Sequence, residues 1–270
     1  MYLKFFELER LENMRETEAN VVNQLLKLKR CYSMIGAKAE FEAEGSTFND
    51  IVRLRRLTLL ANVELHLKIG GVEALRDIRD AVELGVDGII APMVESKFGA
   101  KKFFDSIQKV LDERQKIETT LNIETKTGLQ NLDEILDYAN NRFDAITIGR
   151  SDLTSSYFDP SYTQDSDYIF EKIIEVGEKV RQTNMKLNVG GGLSQKSICK
   201  INTDYPEIKT LCYKLETRKV MLPTQVFCNQ EEAIAQSLYF EELYILSKKD
   251  FFDLRMDAEL ARLTELRRRL

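Results

Sequence analysis

Two segments place acidic side chains where parallel strands would end. One is Leu121-Asn122-Ile123-Glu124-Thr125-Lys126-Thr127-Gly128. The other runs from Phe143 through Ala145-Ile146-Thr147-Ile148-Gly149 to Arg150-Ser151-Asp152. Neighbouring strands lie about 4.8 Å apart, so carboxylates at two adjacent strand ends can share one hard divalent cation. Magnesium held by only two carboxylates keeps its remaining positions for water and substrate oxygens. Such an ion suits bidentate capture of a 2-oxo acid and stabilisation of its enolate. Three further features carry chemistry. The turn Gly190-Gly191-Gly192-Leu193-Ser194 either offers backbone N–H groups to an anion or is simply a tight turn. Lys214, Glu216 and Arg218 share one face of a strand, where Arg218 binds carboxylate or phosphate, or else pairs with Glu216. The single histidine, His66, reads as a hydrogen-bonded interior group rather than a base.

The elements that must position these groups follow from periodicity. Residues 3–30 repeat their apolar side chains near 3.6 and read as a helix. From 37 to 44 the period drops to two, with Lys38, Glu40, Glu42 and Glu44 opposite Ala37, Ala39, Phe41 and Ala43, which is a strand. Thr47 is then placed to cap a helix running to about Leu60. Further strands are expected at 63–69, 88–94, 120–124, 143–149, 185–189 and 211–221, with amphipathic helices between them. Strand and helix alternate, so the sheet is expected to be parallel. One strand face is aliphatic and the other ionic, whereas an open sheet covered on both sides favours continuous apolar strands. The pattern predicts an α/β fold of the TIM-type (β/α)8 barrel. Its ionic faces would converge near the C-terminal mouth, where barrel enzymes keep their chemistry. Lys38, Glu40, Glu42, Glu44, Glu64, His66, Lys68, Asn122, Glu124, Lys186, Asn188, Lys214, Glu216 and Arg218 are candidates for that interior. The expected organisation is an N-terminal helix over 1–36, the barrel over 37–223 and a long C-terminal helical extension over 224–270.

Composition removes several functions. With 39 Lys+Arg against 44 Asp+Glu the chain is mildly acidic, so no nucleic-acid partner is expected. The longest apolar runs fall far below the ~20 residues that span a bilayer, so no membrane partner is expected either. Four dispersed cysteines without a CxxC pair predict neither a disulfide scaffold nor a zinc knuckle, and a cytoplasmic location is the expectation. Phe252, Met256, Leu260, Leu263, Leu266 and Leu270 form a helical apolar stripe ending at Arg267-Arg268-Arg269. That stripe predicts a homo-oligomer assembled through the C-terminal helices.

The motifs Glu124-Thr125-Lys126-Thr127-Gly128-Leu129-Gln130-Asn131-Leu132-Asp133-Glu134-Ile135 and Asp144-Ala145-Ile146-Thr147-Ile148-Gly149-Arg150-Ser151-Asp152-Leu153-Thr154 resemble the HpcH/HpaI aldolase and citrate lyase β-subunit family. Gly85-Val86-Asp87-Gly88-Ile89-Ile90-Ala91-Pro92-Met93-Val94-Glu95-Ser96 resembles the strand that precedes its metal-bearing one. The resemblance covers about residues 37–160. It implies a phosphoenolpyruvate/pyruvate-type barrel in which Glu124 and Asp152 bind Mg²⁺ or Mn²⁺. It also implies that the backbone around Gly149, Arg150 and Ser151 holds a substrate carboxylate. Where the family usually carries an arginine, this chain has Lys68, which supplies charge without a planar fork. Where the aldolase branch carries a histidine, this chain has Glu42 and Glu44. The general base is therefore open among Glu44, Lys68, Lys126 and a metal-bound water.

The expected activity is that of a metal-dependent carbon–carbon lyase or aldolase acting on a small-molecule carboxylate, a 2-oxo acid or relative. Lys68, Glu44 and Lys126 are the catalytic candidates, with Lys68, Gly149, Arg150, Ser151 and Arg218 for substrate. Two alternatives stand beside it. One is an enzyme transferring a phosphoryl or enolpyruvyl group on the same barrel. The other is a non-catalytic binding subunit that has lost the aldolase His and Arg.

Overall fold

The computed structural model describes residues 14–112 and 115–270, in which eight strands close into a barrel in chain order. The predicted first helix appears as α1, Glu16–Tyr32, and its expected earlier part, residues 3–13, lies outside the described residues. The barrel then runs β1 Gly36–Glu40, α2 Phe48–Leu60, β2 Glu64–Lys68, α3 Leu75–Leu84, β3 Gly88–Ala91, α4 Lys97–Gln108 and β4 Glu118–Ile123. Short α5, Lys126–Gln130, and α6, Leu132–Ala139, lead to β5 Ala145–Gly149, α7 Arg150–Ser155, α8 Asp167–Val180 and β6 Lys186–Gly190. The chain closes with α9 Gln195–Thr203, α10 Ile208–Leu211, β7 Cys212–Glu216, β8 Val220–Pro223, α11 Thr224–Asn229 and α12 Ala233–Arg267. Among the described residues no helix is long and apolar enough to cross a membrane.

Strands β1 to β7 are parallel, and β8 pairs antiparallel with both β7 and β1. This corrects the expectation of an all-parallel sheet and of one continuous strand over 211–221. The chain reverses at Thr217: its amide bonds the Val220 carbonyl at 3.0 Å, and its hydroxyl accepts from the Val220 amide at 3.0 Å. Turn chemistry from a threonine, with no glycine or proline, closes the hairpin. The β1 strand also ends at Glu40, so Glu42 and Glu44 belong to the following loop rather than to the strand.

Period-two alternation sets the layers. Ala37, Ala39, Leu65, Leu67, Leu121, Ile123, Ile146, Ile148, Leu187 and Val189 point outward and are buried against the helices. Each large aliphatic side chain buried there contributes roughly 1.5–3 kcal/mol. Helix α2 starts where the sequence places it, whereas α5 stands where no helix was expected and α7, after Gly149, where a loop was. Thr47 caps α2 in a reciprocal box with Asp50, which accepts from the Thr47 amide at 2.9 Å while the Asp50 amide donates to the threonine hydroxyl at 3.2 Å.

The inward positions are polar where aliphatic layers are usual. Lys38 faces Glu216 at 3.3 Å and Glu40 at 3.9 Å; Lys214 faces Glu118 at 3.2 Å and Glu216 at 3.9 Å. His66 meets Glu64 at 3.1 Å, an interior group as its lone occurrence suggested. Opposite charges thus alternate from the barrel floor toward its mouth, which is how so many ions are tolerated out of water. Helix α12 rises antiparallel to α1 along the barrel wall. Gln24 on α1 donates to the Gln236 carbonyl at 2.9 Å, and Arg15 bridges Asp250 at 2.6 Å near the mouth end.

Candidate active site

Glu124 ends the inward-facing row of β4, two residues after Asn122, so both side chains enter the barrel. Its carboxylate is buried and held from three sides. The Met93 amide donates to Oε1 at 3.0 Å, Asn122 Nδ2 donates to Oε2 at 3.0 Å, and Lys68 Nζ lies 3.3 Å from Oε1. Met93 reaches this position with φ 51°, a left-handed conformation that is strained for a non-glycine residue. Asp152, in the first turn of α7 just beyond β5, places Oδ2 3.9 Å from the same ammonium. Gly149 makes this approach possible, because a Cβ there would sit 2.4 Å from Glu124 Oε2.

These groups line a cavity of about 170 Å³ at the mouth, together with Lys38, Glu40, Thr147, Ser151, the Gly190–Gly192 turn and Arg218. Burial is the largest single influence and works against the charge of both Lys38 and Glu216. Glu216, Glu40 and Glu124 together outweigh it at the ammonium, which stays above its ordinary pKa, and Lys38, Lys214 and His66 together outweigh it at the carboxyl, which stays below its own. Lys38 is therefore a fixed cation rather than a proton acceptor. Arg218, at the tip of the β7–β8 hairpin, lies 4.0 Å from Glu241, and its side chain is 62% exposed. It does not pair with Glu216.

Of the sequence candidates, Lys68, Glu124, Gly149, Ser151, Asp152 and Arg218 meet in this one cavity. Three do not. The Arg150 side chain turns away, donating to the Gln164 carbonyl at 3.1 Å and the Gly190 carbonyl at 3.3 Å, with Asp165 at 3.4 Å. Burial lowers its pKa to about 10 against the pull of Asp165, so it remains a cation that pins two mouth loops together. Glu44 is taken up by Lys219 in a buried ion pair, since the strand that would have aimed it inward ends four residues earlier. Lys126 opens α5 on the outer side, its ammonium 5.8 Å from the Tyr157 ring centroid in a neighbouring cleft. Sequence reasoning missed Thr147 and the Met93 amide. Thr147 was findable, two residues before Gly149 on the same face. The Met93 amide has no side-chain signal.

The donor set fits a divalent ion. Two carboxylates already converge within 4 Å of one cation, and the buried Asn122 Oδ1 beside them has no hydrogen-bond partner. Among the described residues no group of three or more His, Cys, Asp or Glu converges as a metal cluster.

A TIM-type barrel with paired acids at the ends of β4 and β5 defines the class. The family model of the HpcH/HpaI aldolase/citrate lyases matches residues 55–185, which bears out the resemblance drawn from the motifs. No curated protein matches the chain in sequence. Among solved structures, an HpcH/HpaI aldolase from Desulfitobacterium hafniense DCB-2 superposes with TM-score 0.58 and 14% identity, over 73% of this chain and 81% of that one. An HpcH/HpaI aldolase/citrate lyase family protein from Burkholderia cenocepacia J2315 gives 0.57 and 12%, over 73% and 82%. A variant of the citrate synthase SbnG gives 0.55 and 16%, over 85% and 90%. At these identities the likeness is one of fold.

Proposed function

We propose that this protein is a divalent-metal-dependent carbon–carbon lyase or aldolase acting on a 2-oxo acid. The observation that carries the reading is the convergence of Glu124 and Asp152 on a single cation at the closed end of the mouth cavity. Glu124 and Asp152 would hold Mg²⁺ or Mn²⁺, which would supply Lewis acidity to a substrate carboxylate and its adjacent carbonyl. The protein's own groups do the rest. Asn122 and the Met93 amide fix Glu124, so the carboxylate needs no reorganisation when its partner changes. Lys68 stands beside both acids and is the group assigned to proton handling and to charge developing on substrate oxygen. Among the base candidates it alone lines the cavity, as Glu44 is bound to Lys219 and Lys126 lies outside. Arg218 faces the far end of the substrate.

The test is calorimetric titration with Mn²⁺, alone and with oxalate, joined to a screen for pyruvate release from 4-hydroxy-2-oxo acids. Glu124→Gln and Asp152→Asn each remove one of only two anionic ligands. Both are expected to abolish metal-dependent turnover while the far-UV spectrum is kept. Wild-type turnover at limiting metal in both variants would refute the assignment.

A second reading has one observation in its favour. Gly191, at φ +84°, keeps the Arg150 and Ser151 amides clear, since a Cβ there would lie 2.8 and 2.6 Å from them. Together with Arg218 this face supports a phosphate-bearing substrate, and turnover that needs phosphate and yields no pyruvate would select it.

A further inference from the structure

Among the described residues, the last anchor of α12 to the body of the protein is at its mouth end, where Arg15 bridges Asp250 and Arg53 stacks its guanidinium 4.4 Å over the Phe251 ring. Every residue from 252 to 270 is exposed, although the helix continues unbroken to Arg267. At 1.5 Å per residue the free part extends roughly 25 Å past the barrel. It is not polar. Phe252, Met256, Leu260, Leu263 and Leu266 lie on one side of it at spacings of three and four, each between 39% and 59% exposed. A seam of that spacing is the pattern by which helices pair.

The charges beside the seam say with what. Residues 251–259 carry three carboxylates, Asp253, Asp257 and Glu259, against Arg255. Residues 260–270 carry four arginines, Arg262, Arg267, Arg268 and Arg269, against Glu265. An acidic half followed by a basic half is self-complementary only when two copies run antiparallel, because a parallel pair would set acid on acid and arginine on arginine. We propose that the free end of α12 is the self-association surface of this protein, occupied by the same segment of a second copy running antiparallel about a two-fold axis. The pairing is isologous: each copy covers the other's Phe252–Leu266 seam and matches its acidic half to the other's basic half.

Light scattering on the full chain at micromolar concentration tests this, and the expected mass is twice the 31.2 kDa of one chain. Met256→Glu with Leu263→Glu is expected to halve that mass and leave the fold unchanged, since both side chains are exposed and remote from the cavity. Orientation is read separately. Arg267→Glu with Arg268→Glu should raise the dimer dissociation constant about ten-fold or more, and adding Asp257→Arg with Glu259→Arg should restore it. A monomeric full chain, or an assembly indifferent to the seam variants, overturns the proposal. Failure of the reversed charges to rescue overturns the antiparallel arrangement.

Discussion

Replacing Glu216 with Gln removes one charge from the middle of the barrel and keeps its shape. Glu216 is 1% exposed and faces two buried ammonium groups, Lys38 at 3.3 Å and Lys214 at 3.9 Å. Removing one partner of a buried pair usually costs about 3–5 kcal/mol, because the other charge stays behind. Here the cost falls at the lower end, as Lys214 keeps Glu118 at 3.2 Å and Lys38 keeps Glu40 at 3.9 Å. Unfolding entropy of about 2.1 cal/mol/K per residue gives roughly 0.57 kcal/mol/K for 270 residues, so a loss of about 3 kcal/mol lowers Tm by about 5 °C. Thermal unfolding followed by circular dichroism measures the shift. The control is Lys38→Met combined with Glu216→Gln. Removing both charges leaves less uncompensated, so the double variant should be more stable than the two single effects added, by on the order of 2 kcal/mol. A Tm within about 1 °C of wild type for Glu216→Gln, or strict additivity in the double variant, would refute the view that these ions stabilise one another.

The same residue makes stability depend on pH. Burial raises the Glu216 pKa but Lys38 and Lys214 pull it net below 4.5, so the unfolded chain binds more protons and stability rises with pH. The contribution is full above 4.5 and disappears as pH falls through the lower folded value; urea midpoints between pH 3 and 6 should fall in wild type and fall less in Glu216→Gln, and equal slopes would count against it. Gly149→Ala places a methyl group 2.4 Å from Glu124 Oε2 and 2.8 Å from its Cβ, so the carboxylate must shift. Turnover should drop about 100-fold, with only ~1–3 kcal/mol lost in stability, and unchanged kcat/KM would show that Glu124 is not placed by this contact.

Much of the site was legible because a barrel strand writes its two faces at alternate positions. Asn122 and Glu124, Thr147 and Gly149, Lys38 and Glu40 all follow from parity once the barrel is recognised, and the barrel followed from strands with one ionic and one aliphatic face. What failed were the places where parity ends. Glu44 kept the alternation of β1 in the sequence but lies beyond the strand, where a loop aims it at Lys219. Arg150 follows a glycine and begins a helix, so its direction is set by helical geometry and by the carbonyls of Gln164 and Gly190. The antiparallel β8 was hidden because Thr217 makes the turn with its own hydroxyl.

The lysine at position 68 has a physical consequence that its charge alone does not convey. An arginine there would present a planar fork matched to one carboxylate, and a bidentate pair with Glu124 would hold both its oxygens. The Lys68 ammonium is a point charge and is shared: 3.3 and 3.5 Å from the two Glu124 oxygens and 3.9 Å from Asp152. None of these is a short contact, whereas the fixed partners of Glu124, Asn122 and the Met93 amide, stand at 3.0 Å. Glu124 is thus held in place by groups that are neutral, and neutralised by a group that is not tightly held. Withdrawing the ammonium leaves the oriented Glu124 carboxylate, with Asp152 beside it, ready for another cation, and leaves a positive charge nearby for an incoming anion. In the sequence this position looks like the loss of a family arginine. In the barrel it is a cation that can change partners without disturbing the acids it neutralises.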